Sequence, residues 1–282
     1  MDKDLLEKIV ALAKRRGFIY PGSEIYGGLG GTWDYGPVGI LLKKNIKDLW
    51  WEELVQLRDD VVGVDAAIMM NPKVWEASGH LEAFTDPLVE CKIDHERFRA
   101  DHPDEIKEHE KKHPGKSEWM EPRKFNLLVK AYLGVIEGSQ QEIFLRGEIT
   151  QGVMTNFKNV VDSTRIKIPF GIAQIGKAFR NEINPGNFIF RSREFEQMEL
   201  QYFVKPDKEE SLKTFEEWKN FWLEWYKDLG INPDKLRFKD HAPDEKAHYA
   251  EVATDIEYQA PWGWAEFMGV HHRSDWDLGR HK

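Results

Sequence analysis

The sequence has a single cysteine, Cys91, in 282 residues. One cysteine excludes an intramolecular disulfide and a zinc site built from several cysteines, and it favours a reducing compartment. No apolar run approaches the roughly 18 residues that a membrane-spanning helix needs. The N-terminus carries Asp2 and Asp4 and does not resemble a secretory signal. We therefore expect a cytoplasmic protein.

The chain also lacks an excess of positive charge, since its formal net charge is -9. This balance argues against a protein that mainly coats nucleic acid, although it does not exclude a local basic face. The length suffices for one large or two ordinary domains. Eleven tryptophans and sixteen phenylalanines predict a core rich in aromatic side chains.

Two alternating segments, 174–182 and 195–202, flank an Asn-Pro-Gly-Asn sequence at 184–187. Alternation indicates half-buried strands, and the four residues between them are typical of a turn, so we predict a long antiparallel hairpin. Four charged residues lie near its loop end and one carboxylate lies deeper: Arg180, Glu182, Arg191, Arg193 and Glu199. Such an arrangement suits a phosphate chain at one end and an ammonium at the other. Surface salt bridges on an ordinary hairpin are the alternative.

The residues of this hairpin carry a family resemblance. Phe179-Arg180-Asn181-Glu182, followed by Phe190-Arg191-Ser192-Arg193-Glu194-Phe195-Glu196-Gln197-Met198-Glu199, resembles motif 2 of class II aminoacyl-tRNA synthetases, in the form found in homodimeric glycyl-tRNA synthetases. Other segments resemble the same family in the same order: Tyr35-Gly36-Pro37 with its following helix, 72–80, Arg97-Phe98-Arg99, 143–152, 262–267 and 273–278.

The resemblance implies an α+β fold, a class II synthetase-like antiparallel β-sheet of about six strands flanked by helices, with residues 1–282 as the catalytic domain. It implies ATP-dependent activation of glycine to glycyl-adenylate and transfer to tRNA(Gly). ATP and glycine would be substrates, Mg²⁺ the metal, and the protein a homodimer through the 33–57 segment. The enzyme would be a glycine–tRNA ligase.

The resemblance also implies roles for individual residues. The catalytic residue would be Arg180, on the α-phosphate. ATP would contact Arg180, Asn181, Glu182, Phe190, Arg191, Ser192, Arg193, Glu194, Phe195, Glu266 and Phe267, with Glu266 as the Mg²⁺ ligand. Glycine would contact Arg99, Glu148, Phe195, Glu196, Gln197, Met198 and Glu199. For the pair Glu148 and Glu199, ordinary strand carboxylates bonded to backbone or arginine are the alternative.

Three segments allow two interpretations each. Histidines 102, 109 and 113, in and next to the run 103–118, would suit a metal site, but with no partner cysteine and a dense charge we favour a solvated, flexible insertion. The glycine-rich loop at 27–31 is interpreted as a turn rather than a phosphate cradle. The aromatic stripe in 215–229 is interpreted as a buried helix face rather than a base-stacking surface. We also predict a short helix near 124–136.

The family carries a third motif and an anticodon-binding domain, and neither is found in this sequence. We therefore expect a catalytic domain that is incomplete at its C-terminus, with impaired activity. The alternative is a non-catalytic, synthetase-like binding or accessory protein. Such proteins typically lose the motif 2 arginine and the substrate carboxylates, whereas Arg180, Glu148 and Glu199 are present here.

Overall fold

A computed structural model describes residues 3–136, 138–242 and 250–281. The helices are α1 (Lys3–Arg15), α2 (Pro37–Trp51), α3 (Pro72–Ala77), α4 (His80–Ala83), α5 (Pro103–Glu110), α6 (Thr150–Thr164), α7 (Lys208–Asp228) and α8 (Trp276–Arg280). The strands are β1 (Ile19–Pro21), β2 (Trp33–Tyr35), β3 (Val61–Gly63), β4 (Met69–Met70), β5 (Thr85–Glu90), β6 (Arg97–Arg99), β7 (Arg123–Asn126), β8 (Val129–Leu133), β9 (Gln141–Leu145), β10 (Phe170–Phe179), β11 (Glu194–Phe203), β12 (Leu236–Asp240), β13 (Val252–Ala260) and β14 (Gly263–His272). Within these ranges, every helix is too short or too polar to cross a lipid bilayer.

The predicted hairpin is confirmed. Strands β10 and β11 pair antiparallel over ten residues each, from Phe170 opposite Phe203 to Phe179 opposite Glu194. Strand β3 adds a short parallel edge beside β10, so the sheet order is β11-β10-β3. The chain turns at 187–190, just after the expected Asn-Pro-Gly-Asn turn: the Phe190 backbone amide donates to the Asn187 carbonyl at 3.2 Å, and Asn187 adopts a left-handed backbone conformation that asparagine tolerates well.

Helix α7 covers one face of this hairpin. It begins after Asp207, whose side chain accepts a hydrogen bond from the Glu210 amide at 2.8 Å, an N-cap that satisfies a donor of the first turn. Its aromatic stripe is buried: Trp222 and Trp225 are each 5% exposed, and Trp222 stacks on Trp50 of α2. The interpretation of this stripe as a core face is confirmed.

A second sheet, β12-β13-β14, packs on the same aromatic core. Ile256 of β13 is fully buried there, and Met268 and Val270 of β14 pack beside it. Two three-stranded sheets thus replace the expected continuous sheet of about six strands, and no ladder joins them in the described ranges. Helix and antiparallel sheet still combine as the α+β class requires.

The expected helix near 124–136 is wrong. This segment forms β7 and β8, which pair with β5 and β9 respectively. The Asn126 side chain turns the chain between them: it accepts from the Leu128 amide at 2.8 Å and donates to the carbonyl oxygens of His80 and Leu81. Apolar spacing alone cannot separate one helix from two short strands with a kink between them.

The charged run 103–118 exposes most of its side chains to solvent and buries one of them. It begins with helix α5, and this helix buries the His109 side chain to 1% exposure. The imidazole ring lies against the aromatic rings of Phe98 and Trp119, with centroids 4.8 and 5.4 Å away. The segment is therefore tied to the β5–β6 hairpin through His109.

Candidate functional site

Two carboxylates lie close together on the face of the β10–β11 hairpin that the start of α6 covers, opposite the aromatic core. Glu199 alternates with Met198 and Leu200, which point into the core, so its side chain lies on the opposite face. Its Oε2 accepts hydrogen bonds from the Thr150 hydroxyl at 2.6 Å and the Gln201 amide at 3.2 Å. Glu148 precedes helix α6 and acts electrostatically on Glu199. The two predicted glycine contacts are thus neighbours.

The two carboxyl groups have opposite pKa shifts. Burial, together with the negative charge of Glu148, raises the pKa of Glu199 to about 7. Burial alone would also raise the pKa of Glu148. The hydrogen bond from His80 and the charges of His80 and Arg273 outweigh burial, so the pKa of Glu148 is lowered. One carboxylate therefore stays ionised while the other titrates near neutrality.

Glu148 is held by a network that sequence reasoning did not assign to the site. His80 Nε2 lies 3.2 Å from Glu148 Oε1, and Gln151 donates to the same oxygen at 3.2 Å. The Gln151 amide also donates to Asp277 at 2.9 Å, and Asp277 accepts from Arg273 at 2.8 Å. These residues lie in the segments 72–80, 143–152 and 273–278. The family resemblance of those segments is the sequence signal that could have identified them.

Arg180 lies at the end of β10, beside this pair. Its Nε donates to the Gly147 carbonyl at 3.1 Å, and its guanidinium carbon is 5.2 Å from the ring centroids of Phe84 and Phe195. The aromatic rings hold the planar group by cation–π contact. The charge of Arg180 lowers the pKa of Glu199 against the larger effect of burial. Phe195, the predicted contact of both substrates, serves here as one wall.

A buried arginine fixes the floor of the site. Arg146 is 2% exposed and donates from Nε to the Lys177 carbonyl at 2.6 Å and from a terminal nitrogen to the Ala66 carbonyl at 2.7 Å. Gly176 is required beside it, because a Cβ there would lie 2.2 Å from the guanidinium. Arg146 thereby locks β10 to the segment that leads to Glu148.

The loop end of the hairpin collects further charges. Glu182 is 8% exposed; burial raises its pKa, against the charges of Arg191 and Arg180. Arg193 donates to the carbonyls of Glu182 and Gly30, so it ties the glycine-rich loop to the hairpin. The interpretation of that loop as a turn fits this contact, and a phosphate role for Arg193 stays a prediction.

Arg99 sits at the rim, on β6. It forms ion pairs with Asp86 and Asp101 at 2.8 and 2.7 Å, and its charge acts on Glu182. The structure thus brings Arg99 towards the loop end of the hairpin. A contact with glycine, predicted from the resemblance, remains a prediction.

Several side chains of the motif point elsewhere. Glu196 forms ion pairs with Lys43 and Lys47 of α2, at 2.6 and 2.7 Å, and Met198 packs in the aromatic core. Glu194 pairs with Lys177 on that same face. The side chains of Glu196 and Met198 therefore point to the face opposite Glu199, although all three residues belong to the same strand.

The other predicted ATP contacts lie along the loop. The Asn181 backbone N–H donates to the Leu127 carbonyl at 2.8 Å, and the Ser192 residue is 7% exposed. Phe190 is partly exposed with its ring 5.2 Å from that of Trp262. These positions border one open edge of the hairpin.

Glu266 and Phe267 occupy an irregularity in β14. Glu257 pairs with Glu266 and Ile256 with Met268, so Phe267 has no opposite residue and forms a β-bulge. Desolvation and the nearby Asp255 raise the pKa of Glu266, whereas the charge of Arg180 lowers it. Glu266 is thus in electrostatic reach of Arg180, although it stands on the second sheet.

One buried acceptor near Glu199 has no hydrogen-bond partner. The Oε1 atom of Gln197, on the same face as Glu199, is buried without a donor among the described residues. A buried carbonyl oxygen normally has a partner. An ammonium group, which offers three donors, matches this oxygen and the two carboxylates together.

Comparison with known proteins agrees with this geometry. Residues 132–262 match the family model of the tRNA synthetase class II core domain (G, H, P, S and T). The chain is 50% identical to a glycine–tRNA ligase of Caldanaerobacter subterraneus over 99% of its own length and 66% of that protein. It is 53% identical to the glycine–tRNA ligase of Treponema denticola, over 98% and 61%. The chain thus spans about two thirds of the length of these curated relatives.

The fold also has solved counterparts. Prolyl-tRNA synthetase from Cryptosporidium parvum, crystallised with halofuginone and AMPPNP, superposes with a TM-score of 0.65. The alignment covers 96% of this chain and 44% of that one, at 15% sequence identity. Similarity at this level concerns the fold alone.

Proposed function

The chain belongs to the class II tRNA synthetases and is a homologue of the glycine–tRNA ligases; on this premise we propose that it activates glycine with ATP and transfers it to tRNA(Gly). The choice of glycine as substrate rests on the neighbouring carboxylates Glu148 and Glu199 and on the Gln197 oxygen, which has no hydrogen-bond partner among the described residues. Together they offer the acceptors that one small ammonium needs.

Glycine is the amino acid for which such a pocket needs no editing. A site closed tightly around Cα rejects every larger amino acid by a clash at Cβ, and no smaller competitor exists among the standard set. Phe84 and Phe195 stand beside Arg180, next to the carboxylate pair. Rigid aromatic walls give that steric exclusion its strength.

Arg180 is the proposed catalytic residue. Adenylate formation is an in-line attack by the glycine carboxylate on the α-phosphate, with pyrophosphate leaving, and it depends on positioning and charge neutralisation. A guanidinium can hold two phosphate oxygens at once. Its Nε is already engaged by Gly147, so the terminal nitrogens would face the phosphate. Arg191 would meet the outer phosphates.

Mg²⁺ fits the surroundings of Glu266. Desolvation, followed by the charges of Asp255 and Glu257, raises the pKa of that carboxyl, while Arg180 and His241 lower it, so further carboxylates lie close to Glu266. Mg²⁺ prefers oxygen ligands and is commonly bound by one or two carboxylates plus substrate phosphates. Glu266 would hold the ion, which would neutralise phosphate charge when bound.

A second copy of the chain is the proposed partner at α2. This helix exposes a row of apolar side chains: Val38, Ile40, Leu41 and Leu42 are each 42% exposed or more. Several exposed apolar side chains on one helix suit a protein–protein interface. Sedimentation analysis should find a dimer that Leu41→Asp weakens, whereas Val135→Asp, an exposed position outside 33–57, should not.

Glycine-dependent ATP–pyrophosphate exchange tests the enzymatic proposal. Glu199→Gln keeps the size of the cavity but removes a charged acceptor, so it should raise the glycine KM far more than the ATP KM. Glu142→Gln, an exposed carboxylate paired with Lys130, is the matched control and should change neither. The same assay is repeated with a chain extended by a C-terminal segment of the family: exchange restored by the extension would support an incomplete catalytic domain, whereas absence of exchange in both folded chains would favour the accessory-protein alternative. The cytoplasmic location stays a prediction.

A further inference from the structure

A cluster of metal-ligand side chains lies outside the proposed active site, where the β5–β6 hairpin meets helix α5. Cys91 and Asp94 stand in the hairpin turn, and His109 comes from α5. One potential ligand atom from each of these three residues lies within 4.8 Å of the others. His113, one turn beyond His109, places its Nε2 2.8 Å from Asp94 Oδ2. Sequence reasoning found no partner cysteine for these histidines because Cys91 precedes them in another element.

The spacing of the four residues matches a known class of site. Two residues separate Cys91 from Asp94, the fourteen residues 95–108 separate Asp94 from His109, and three residues separate His109 from His113. Structural zinc sites of two strands and a helix typically have two ligands two to four residues apart, then about 12 to 15 residues, then two histidines three to five residues apart. Here Asp94 stands where such a site usually has its second cysteine.

His109 provides a second, independent observation. Its side chain is 1% exposed, and neither ring nitrogen has a hydrogen bond of acceptable geometry among the described residues. Carboxylate oxygens nevertheless approach both nitrogens: Asp94 Oδ2 lies 3.4 Å from Nε2, and Glu96 Oε2 lies 3.1 Å from Nδ1. A buried imidazole between two carboxylates without hydrogen bonds needs another partner.

We propose that Cys91, Asp94, His109 and His113 bind one Zn²⁺ ion as a structural site. A thiolate, a carboxylate and two imidazoles are ligands that zinc accepts in tetrahedral geometry. Bonds of about 2.0 to 2.3 Å to one ion would require the Cys91, Asp94 and His109 atoms to adjust from their separations of up to 4.8 Å, and the Asp94 and His113 atoms to move slightly apart from 2.8 Å. Glu96 would accept the proton of His109 Nδ1 and so orient the ring, as the carboxylate neighbours of zinc-bound histidines do.

The site would have a structural rather than catalytic effect. It joins α5 to the turn of the hairpin that carries Arg99, beside the contacts of His109 with Phe98 and Trp119. Structural zinc contributes directly to folding free energy. This inference does not depend on the proposed synthetase activity, because its readouts are metal content and spectra.

Metal analysis of the full, tag-free chain is the first test. Protein prepared with zinc in the medium should hold about one zinc ion per chain. After chelation, added Co²⁺ should give the intense visible bands of a tetrahedral site and a thiolate-to-cobalt charge-transfer band. Cys91→Ser should abolish the charge-transfer band, and His113→Gln should lower the zinc content. His102→Gln, at the N-cap of α5 and paired with Glu105, is the matched control and should behave as the unmodified chain.

Two more variants keep the test informative if a ligand substitution unfolds the protein. Asp94→Cys should retain zinc and bind it more tightly, and Glu96→Gln should retain the site with affinity reduced roughly 10- to 100-fold. Zinc should raise the Tm of the chelated chain by at least about 2 °C. A folded, unmodified chain that holds no stoichiometric metal, gives no cobalt charge-transfer band and shows no change in Tm at micromolar zinc would overturn the proposal.

Discussion

Replacing Glu199 by glutamine should stabilise the folded chain while it damages glycine use. The pKa of Glu199 is raised from 4.5 to about 7, chiefly by burial and by the Glu148 charge. Between these pH values the folded state keeps a proton that the unfolded state has lost. The free energy of unfolding therefore falls as the pH rises through this window, and the loss is complete above the folded pKa.

The difference between 4.5 and about 7 corresponds to roughly 3 kcal/mol at pH 8. Glutamine carries no charge, so Glu199→Gln removes this cost. The gain will be smaller than the full amount, because Thr150 and Gln201 lose hydrogen bonds to a charged acceptor. We expect a net gain of roughly 1 to 3 kcal/mol at pH 8, shrinking towards zero near pH 5.

Urea unfolding at pH 5 and pH 8 measures this difference directly. Glu196→Gln, on the same strand but the opposite face, is the contrasting variant. Burial would raise the pKa of Glu196, but Lys43 and Lys47 lower it, so its charge stabilises the fold and its loss should reduce stability at pH 8. A Glu199→Gln chain that is less stable than the unmodified chain at pH 8, or whose difference does not vary with pH, would refute the reasoning.

Three further outcomes follow from the same geometry. The glycine KM should rise as the pH falls below about 7, because protonated Glu199 no longer offers a negative charge to the glycine ammonium. A pH series of exchange kinetics checks this, with Glu199→Gln as the pH-insensitive reference. Arg180→Lys should lower adenylate formation roughly 10- to 1,000-fold, since lysine keeps the charge but not the two-point contact; near-normal exchange would transfer the role to Arg191. Trp222→Ala should cost about 3 to 5 kcal/mol in urea unfolding, because the side chain is 5% exposed; a loss below about 1 kcal/mol would show that the core collapses around the gap.

Local signals predicted the hairpin and the aromatic helix because both depend on nearest-neighbour chemistry. Alternation with an Asn-Pro-Gly-Asn turn allows few structures other than β10–β11. The aromatic stripe of α7 repeats with helical period. The segment 124–136 failed where local signals are weakest, since its apolar spacing fits both a helix and two short strands.

Residue pairs distant in sequence could not be found in this way. Thr150 meets Glu199 because the buried Arg146 and Gln174 tie the segment before α6 to β10, the strand that pairs with β11. His80 meets Glu148 from helix α4, which is distant in sequence. The opposite pKa shifts of the two carboxyls likewise depend on burial and on charges from several elements. No spacing rule contains that information.

The sequence by itself determined the family resemblance, the turn chemistry, the face on which Glu199 stands and the residue types available for chemistry. The tertiary structure decided which of them meet: Glu196 joins the lysines of α2, Glu199 joins Glu148, and Cys91 joins His109. The physical reason is that periodicity fixes the direction of a side chain along its own element. Its partner is fixed only by how the elements pack, and packing minimises exposed apolar area over the whole chain.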